Sequence, residues 1–111
     1  SKVIALGTDF PVEGISAIHT FYSATQRMDA EGKLEKPFIG EQALSRKQAL
    51  WGMTLWAAYA NFDEPRTGSL ETGKLADFVV LNTDIMTSEP SRILKAKVRA
   101  TYLGGVNVYS R

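Results

Sequence analysis

A carboxylate near the start of this chain stands where a catalytic acid or base could act. The apolar run Val3–Leu6 is followed by Gly and Thr, then by Asp9 and, two residues later, by Pro11. Four consecutive apolar residues predict a buried strand of a parallel sheet, so Asp9 would follow the carboxyl end of that strand. A carboxylate in that place serves either proton transfer or helix capping, and Glu13 or Gly14 is better placed to cap the next helix.

Two further side chains, His19 and Arg27, follow Asp9 on the next predicted helix. His19 is the single histidine of the chain and lies beside the apolar stripe of that helix. It either packs against the protein or faces solvent, or it contacts a metal ion together with Asp9. Arg27 falls in the last turn of the helix, where a cation complements the helix dipole.

Two helical segments would position these side chains. Apolar residues at steps of three or four predict a helix from about Ile15 to Met28. A polar loop with two glycines and a proline follows over residues 29–42. Ser45 with Gln48 forms a capping box that begins the clearest helix, which ends only at the following proline. Gly52 in its interior indicates close packing against a neighbouring element.

The second half of the chain carries strand patterns. Phe78–Leu81 is an apolar run rich in β-forming residues. Apolar and polar residues alternate over Val98–Tyr102, and the Gly104-Gly105 pair predicts a tight turn into a returning strand at Val106–Tyr109. A strand and helix in front favour a parallel sheet, whereas a hairpin favours an antiparallel one. We therefore expect the chain to be the end of something longer.

Several other residues have structural explanations. Asp77 is predicted to cap the turn into its strand, and Lys74 is predicted to lie at the surface. The Gly-Lys pair in GSLETGK lacks the spacing of a phosphate-binding loop, and no serine stands on a nucleophile elbow. The aromatic residues of the second helical segment are predicted to pack in the core or between helix and sheet: Trp51, Trp56, Tyr59 and Phe62.

Length and composition limit the classes of function. The chain has 111 residues, 44% hydrophobic and 23% charged, which fits one globular domain. Its net charge of +1 gives no reason to expect nucleic-acid binding. Without cysteine it has no disulfide, and no apolar stretch approaches the roughly 20 residues that a membrane helix needs. We expect a cytoplasmic protein without a membrane partner, and the Ser-Lys start without a Met is what a trimmed, engineered or partial chain would show.

Three stretches resemble the C-terminal portion of metal-dependent amidohydrolases, in the family 3 branch that includes formamide-type and aryldialkyl-type members. GTDFPVE is similar to the family's Gly-Ser-Asp-x-Pro-Val segment after the last barrel strand. GSLETGKLADFVVL is similar to a family hallmark at which the chain leaves the barrel. VRATYLGGVNVYSR is similar to the closing hairpin of the family's small β-domain. The resemblance covers nearly the whole chain.

This resemblance implies an α/β fold with a flanking β-domain. Residues 1–66 would form the end of a (β/α)8 TIM barrel, with its last strand and following helices. Residues 67–111 would supply C-terminal strands of a composite β-sandwich. As an isolated piece the chain would be α+β. Its activity would be hydrolysis of carbon–nitrogen bonds other than peptide bonds, in a small amide or cyclic amide.

By the same resemblance, Asp9 would be the catalytic acid and a ligand of a divalent metal, with zinc the expected ion. Arg27 matches an arginine of the family and would bind substrate. The family's histidine ligands lie upstream, and one histidine with one aspartate cannot complete a three-ligand zinc site.

We therefore expect the chain alone to be inactive and without a bound metal. Its apolar faces would lack partners, so we expect it to self-associate. The alternative is a stand-alone, non-catalytic α+β domain that serves in packing or assembly.

Overall fold

The computed structural model describes residues 3–9, 16–28, 36–37 and 39–111 of the chain. These residues combine helices with a three-stranded antiparallel sheet, an α+β arrangement. The helices are α1 (Ala17–Gln26), α2 (Arg46–Met53), α3 (Leu55–Ala60) and α4 (Pro90–Ile93), with a short 3-10 helix at Gly40–Gln42. The strands are β1 (Phe78–Leu81), β2 (Val98–Leu103) and β3 (Val106–Ser110). Within these residues, no helix is long and apolar enough to span a membrane.

Helix α1 confirms the first helical pattern, with shorter bounds than predicted. It begins after Ser16, whose Oγ accepts a hydrogen bond from the backbone N–H of His19 at 3.3 Å. Such a cap stabilises a helix by about 1 kcal/mol. Phe21 and Thr25 are the buried residues of its apolar face, and Arg27 ends the helix with a left-handed φ of 54°. The predicted first residue of this helix lies outside the described residues.

A small core joins three of the helices. Phe21 of α1, Ala49 of α2 and Ile93 of α4 are fully buried. Half-buried apolar residues pack around them: Leu6, Ile18, Tyr22, Ala24, Leu44, Leu50, Met53 and Ile85. The predicted capping box is confirmed, since Gln48 N–H donates to Ser45 Oγ at 3.1 Å and Ser45 N–H donates to Gln48 Oε1 at 2.9 Å. Cap and core together hold α2 against α1.

The predicted second helix is broken at Thr54, whose φ of −124° and ψ of −88° separate α2 from α3. The carbonyl of Gly52 accepts a hydrogen bond from the N–H of Leu6 at 2.9 Å, so it is used outside the helix. The N–H of Thr54 donates a hydrogen bond to the carbonyl of Trp51 at 3.2 Å. The hydroxyl of Thr54 donates another to the carbonyl of Leu50 at 2.7 Å. A contact from a distant part of the chain therefore accompanies the break.

The sheet confirms the predicted strand and hairpin. Its order is β1-β2-β3, and both pairs are antiparallel. Phe78 lies opposite Tyr102, and their rings stack with centroids 4.7 Å apart. Gly104 and Gly105 form the β2–β3 turn with φ values of 56° and 81°, which glycine adopts without strain. The carboxylate of Asp77 accepts from the N–H of Gly104 at 2.8 Å, so it holds this turn rather than capping its own strand.

The segment Val3–Leu6 differs from its prediction. It is not a strand, and only Leu6 among its residues is half-buried. A parallel strand is buried between neighbouring strands and covering helices, and the described residues contain no parallel strand to pair with it. The barrel and the division between residues 66 and 67 stay predictions. Ile93 lies within residues 67–111, but its side chain belongs to the core formed with Phe21 and Ala49 of residues 1–66.

The aromatic residues predicted in the second helical segment differ in exposure. Trp51 and Trp56 pack against each other with ring centroids 5.6 Å apart, and Nζ of Lys47 lies 4.8 Å from the centre of the Trp51 ring. Tyr59 and Phe62 are 58% and 96% exposed. The prediction that these two residues pack in the core or between helix and sheet is wrong, because no element of the described chain covers them.

Candidate functional site

The segment that carries Asp9 is tethered to helix α2. The N–H of Leu6 donates to the carbonyl of Gly52 at 2.9 Å. A Cβ on Gly52 would lie 2.8 Å from Cγ of Leu6 and 2.9 Å from the carbonyl oxygen of Ile4, closer than real Cβ atoms approach. The predicted close packing at Gly52 is therefore confirmed. The missing side chain lets the segment lie directly on the helix.

Asp9 ends this segment with a left-handed backbone and an exposed side chain. Its φ is 55°, a region that Asp and Asn tolerate better than most residues. Ser16 caps α1, so Asp9 does not, and the other two capping candidates, Glu13 and Gly14, lie outside the described residues. A solvent-facing carboxylate on a tethered segment can exchange a proton with water or with a bound molecule.

A small pocket of about 110 Å³ lies beside the segment that leads to Asp9. Its lining comes from this segment, from α1 and from the end of α2: Leu6, Gly7, Thr8, Ala17, Thr20 and Met53. The hydroxyl of Thr20 donates to the carbonyl of Ser16 at 3.4 Å. The pocket is mostly apolar and has room only for a small group.

His19 and Arg27 both belong to α1 and its end. The side chain of His19 is exposed, as one of its predicted alternatives requires, and its backbone N–H serves the helix cap. Arg27 is half-buried one residue past α1, and its N–H donates to the carbonyl of Ser23. The structure therefore confirms its place at the helix end, while substrate binding by Arg27 stays a prediction.

The described residues do not complete a metal site. Across residues 3–9, 16–28, 36–37 and 39–111, no three His, Cys, Asp or Glu side chains lie together in a way that could hold a metal ion. A catalytic zinc site uses three protein ligands, of which Asp9 could supply one. The donor set in this part of the chain thus does not fit a metal by itself.

A polar cluster that the sequence pattern did not single out joins Ser69, Glu71 and Lys74, and we call it the clasp. Nζ of Lys74 donates to Oγ of Ser69 at 2.8 Å and lies 3.3 Å from Oε2 of Glu71. Oγ of Ser69 also donates to the Glu71 carboxylate. The Lys74 side chain is only 12% exposed, so the prediction that it lies at the surface is wrong.

Hydrogen bonds within the clasp, that from Ser69 first and then that from Lys74, lower the pKa of Glu71. A carboxyl group with a lowered pKa is a weak proton acceptor near neutral pH. The clasp therefore suits a structural turn better than acid–base chemistry. The sequence signal for the clasp is the close spacing of a serine, a glutamate and a lysine in GSLETGK.

A larger cleft of about 630 Å³ lies between α2, α3 and the turn that contains the clasp. Leu50, Met53 and Leu55 are among its apolar lining residues, and Asp63 and Asp77 are charged residues of its lining. The cleft is distinct from the pocket beside Asp9, although Met53 contributes to both. It is assembled from residues far apart in sequence, so no local motif indicates it.

Gly68 brings the turn against α3 at the wall of this cleft. Its φ is 94°, and a Cβ there would lie 2.8 Å from Cβ of Ala58 and 3.0 Å from Cα of Leu55. Only glycine combines this backbone conformation with so close an approach. The wall of the cleft is therefore fixed by packing.

Comparison with known proteins connects this geometry to a family. A chain from Arabidopsis thaliana, Protein LONG AFTER FAR-RED 3, is 39% identical over 98% of this chain and 18% of its own length. The N-substituted formamide deformylase of Arthrobacter pascens is 28% identical over 97% of this chain and 19% of its own. The crystal structure of an amidohydrolase from Thermotoga maritima superposes with a TM-score of 0.70 at 27% identity, over 98% of this chain and 23% of that one.

The chain therefore spans about a fifth of the length of the relatives that it matches. The profile of the amidohydrolase family matches residues 2–109, nearly the whole chain. The match includes the tethered segment, the helices and the hairpin. This chain belongs to the amidohydrolase family.

Proposed function

We propose that this chain is part of a hydrolase that cleaves carbon–nitrogen bonds other than peptide bonds in amides, with Asp9 as its acid and base. Family membership supports the reaction class. The relative from Arthrobacter pascens is named for N-substituted formamides, so these are the first candidate substrates. The structural observation that carries the proposal is the exposed carboxylate of Asp9 on a segment tethered through Leu6 to Gly52.

The proton balance of amide hydrolysis fits one carboxylate. Water adds to the carbonyl carbon and loses a proton, the carbon–nitrogen bond breaks, and the leaving nitrogen gains a proton. Asp9 takes the proton from the water as a base and returns it to the nitrogen as an acid. An N-substituted formamide and water thereby give formic acid and an amine, and the carboxylate ends in its starting state.

We propose a divalent metal as cofactor of the whole enzyme, with Asp9 as one ligand. Because the described residues do not complete a metal site, the other ligands would come from outside them. No step of the reaction above is assigned to the metal. Arg27, half-buried past the end of α1, is the proposed contact for a polar group of the substrate.

The test uses the full polypeptide in which this chain occurs and a panel of N-substituted formamides, simple amides and cyclic amides. Released amine is measured for the wild type and for Asp9→Asn. Asn adopts a left-handed backbone readily, so this variant keeps the segment and loses only the titratable oxygen. We expect kcat to fall by roughly 10²- to 10⁴-fold. Glu89→Gln, which removes another exposed carboxylate, serves as the matched control.

Two results would contradict the proposal. Equal kcat for the wild type and Asp9→Asn would remove Asp9 from the reaction. Failure of the wild type to hydrolyse any member of the panel would contradict the reaction class and favour the non-catalytic packing domain.

A further inference from the structure

The break between α2 and α3 leaves Thr54 in an uncommon backbone conformation. Its φ of −124° and ψ of −88° lie outside both the helical and the extended regions. The residues on either side are helical, and their pattern alone predicts one continuous helix. The hydroxyl of Thr54 donates to the carbonyl of Leu50 at 2.7 Å, a bond that tends to bend helices. A backbone conformation of this kind persists where the surrounding structure holds it.

The first contact at the break comes from residues 3–9, which we call the Asp9 segment. The N–H of Leu6 donates to the carbonyl of Gly52 at 2.9 Å. In a continuous α-helix that carbonyl would accept from the N–H four residues later, that of Trp56. The bound segment thus uses an acceptor that a continuous helix needs, so it favours the broken form.

The second contact comes from residues 67–74, which we call the clasp turn. A Cβ on Gly68 would lie 3.2 Å from the carbonyl oxygen of Thr54, so the turn packs directly on the backbone of the break. The turn is closed by a hydrogen bond from the N–H of Leu75 to the carbonyl of Arg66 at 2.8 Å. The break is therefore contacted from two parts of the chain that are far apart in sequence.

We propose that the break couples the Asp9 segment to the clasp turn, so that loosening either one loosens the other. The two contacts reach the same backbone at Gly52 and Thr54, two residues apart. A shared element that both regions hold in one arrangement gives such coupling a physical basis, and the coupling is reciprocal. A change at the clasp turn would thereby reach the carboxylate of Asp9. That last consequence rests on the proposed function, whereas the coupling itself does not.

Hydrogen–deuterium exchange of the full polypeptide, followed by mass spectrometry of peptides that contain Leu6 and Leu75, tests the proposal. Gly68→Ala places a methyl group against the carbonyl of Thr54 and should raise the exchange rate of the Leu6 N–H by about fivefold or more. Gly73→Ala is the matched control, because its φ is also 94° but nothing lies within 4 Å of the added Cβ. It should leave the Leu6 N–H at the wild-type rate.

The reciprocal variant changes the other contact. Gly52→Ala places a Cβ 2.8 Å from Cγ of Leu6 and displaces the Asp9 segment. It should raise the exchange rate of the Leu75 N–H by about fivefold or more. Gly7→Ala adds a methyl group to the same segment with nothing within 4 Å, so it should leave the Leu75 N–H unchanged.

Thr54→Val changes the break itself and keeps the shape of an exposed side chain, so the variant should fold. It removes the hydrogen bond to the carbonyl of Leu50 and should raise exchange at both Leu6 and Leu75. Thr101, in the middle strand of the sheet, reports global unfolding and should exchange at the wild-type rate.

The coupling is overturned if Gly68→Ala and Gly73→Ala give the same exchange at Leu6, or if Gly52→Ala and Gly7→Ala give the same exchange at Leu75. It is also overturned if Thr54→Val changes neither site, or if exchange rises equally at Thr101. None of these outcomes depends on hydrolysis, so the proposed function is tested separately.

Discussion

The helical region and the sheet of this chain differ in what holds them together. The helical region, formed by α1 to α4 and residues 3–9, contains the fully buried residues Phe21, Ala49 and Ile93. In the sheet, all five residues of β3 are exposed, and Val106 is exposed to 64%. Packing therefore stabilises the helical region, whereas backbone hydrogen bonds, a glycine turn and one ring stack hold the sheet.

The two regions therefore differ in what they can do: the helical region can hold a side chain in place, whereas the sheet leaves apolar side chains exposed. Asp9 belongs to the region with its own core, so packing against α2 can hold its carboxylate in place without the sheet. The sheet has a defined register but leaves apolar side chains such as Val106 and Val108 exposed. The clasp turn links the two regions.

The largest effect should come from the core. Phe21→Ala removes a fully buried ring from the helical region and should cost about 3–5 kcal/mol of unfolding free energy. Val106→Ala, a matched truncation in the sheet, should change it by about 0.5 kcal/mol or less. Urea denaturation monitored by tryptophan fluorescence measures both. Equal losses in the two variants would contradict the contrast between the regions.

A smaller effect should come from the link between the regions. Gly68→Ala places a methyl group 2.8 Å from Cβ of Ala58 on a left-handed backbone and should cost about 2–4 kcal/mol. Gly73→Ala is the matched control, since its φ is also 94° but nothing lies within 4 Å of the added Cβ. It should cost only the backbone penalty, about 1–2 kcal/mol. If both variants lose the same stability, the contact between the turn and α3 does not matter.

The smallest effect should be a dependence of stability on pH. Hydrogen bonds from Ser69 and Lys74 lower the pKa of Glu71 from 4.5, and the backbone N–H of Met86 lowers that of Asp84 from 3.8. A carboxyl group whose pKa is lower in the folded than in the unfolded protein stabilises the fold. This stabilisation is fully present at pH values above the unfolded-state pKa, and it is lost as the pH falls through the folded-state pKa.

Unfolding free energies between pH 7 and pH 3 measure this loss. A Glu71→Gln, Asp84→Asn double variant should lose less stability on acidification than the wild type. Identical acid dependence of the two proteins would show that these carboxylates do not stabilise the fold.

The parts of the fold that follow from local chemistry could be predicted from the sequence. The capping box of Ser45 and Gln48 and the Gly104-Gly105 hairpin depend on residues within a few positions of each other, and both are present as predicted. The break at Thr54 could not be predicted, because it accompanies a hydrogen bond from a segment more than forty residues away.

The candidate site shows the same division. The type and place of Asp9 after an apolar run pointed to it, and Gly52 signalled a close approach. The burial of side chains was harder to predict from the sequence, because it depends on which elements of the fold cover them. Phe62 was predicted to pack in the core or between helix and sheet and is exposed, whereas Lys74 was predicted at the surface and is mostly buried.

We propose that the contact of Leu6 with Gly52 positions Asp9 for acid–base chemistry, and a double-mutant cycle on kcat measures this coupling. Gly52→Ala, Asp9→Asn and the double variant are compared with the wild type in the full polypeptide. Gly52→Ala should lower kcat by about tenfold or more in the wild type and have little further effect in the Asp9→Asn background, because the two changes act through one carboxylate. Independent, multiplicative losses in the two backgrounds would show that the contact of Leu6 with Gly52 does not act through the carboxylate of Asp9.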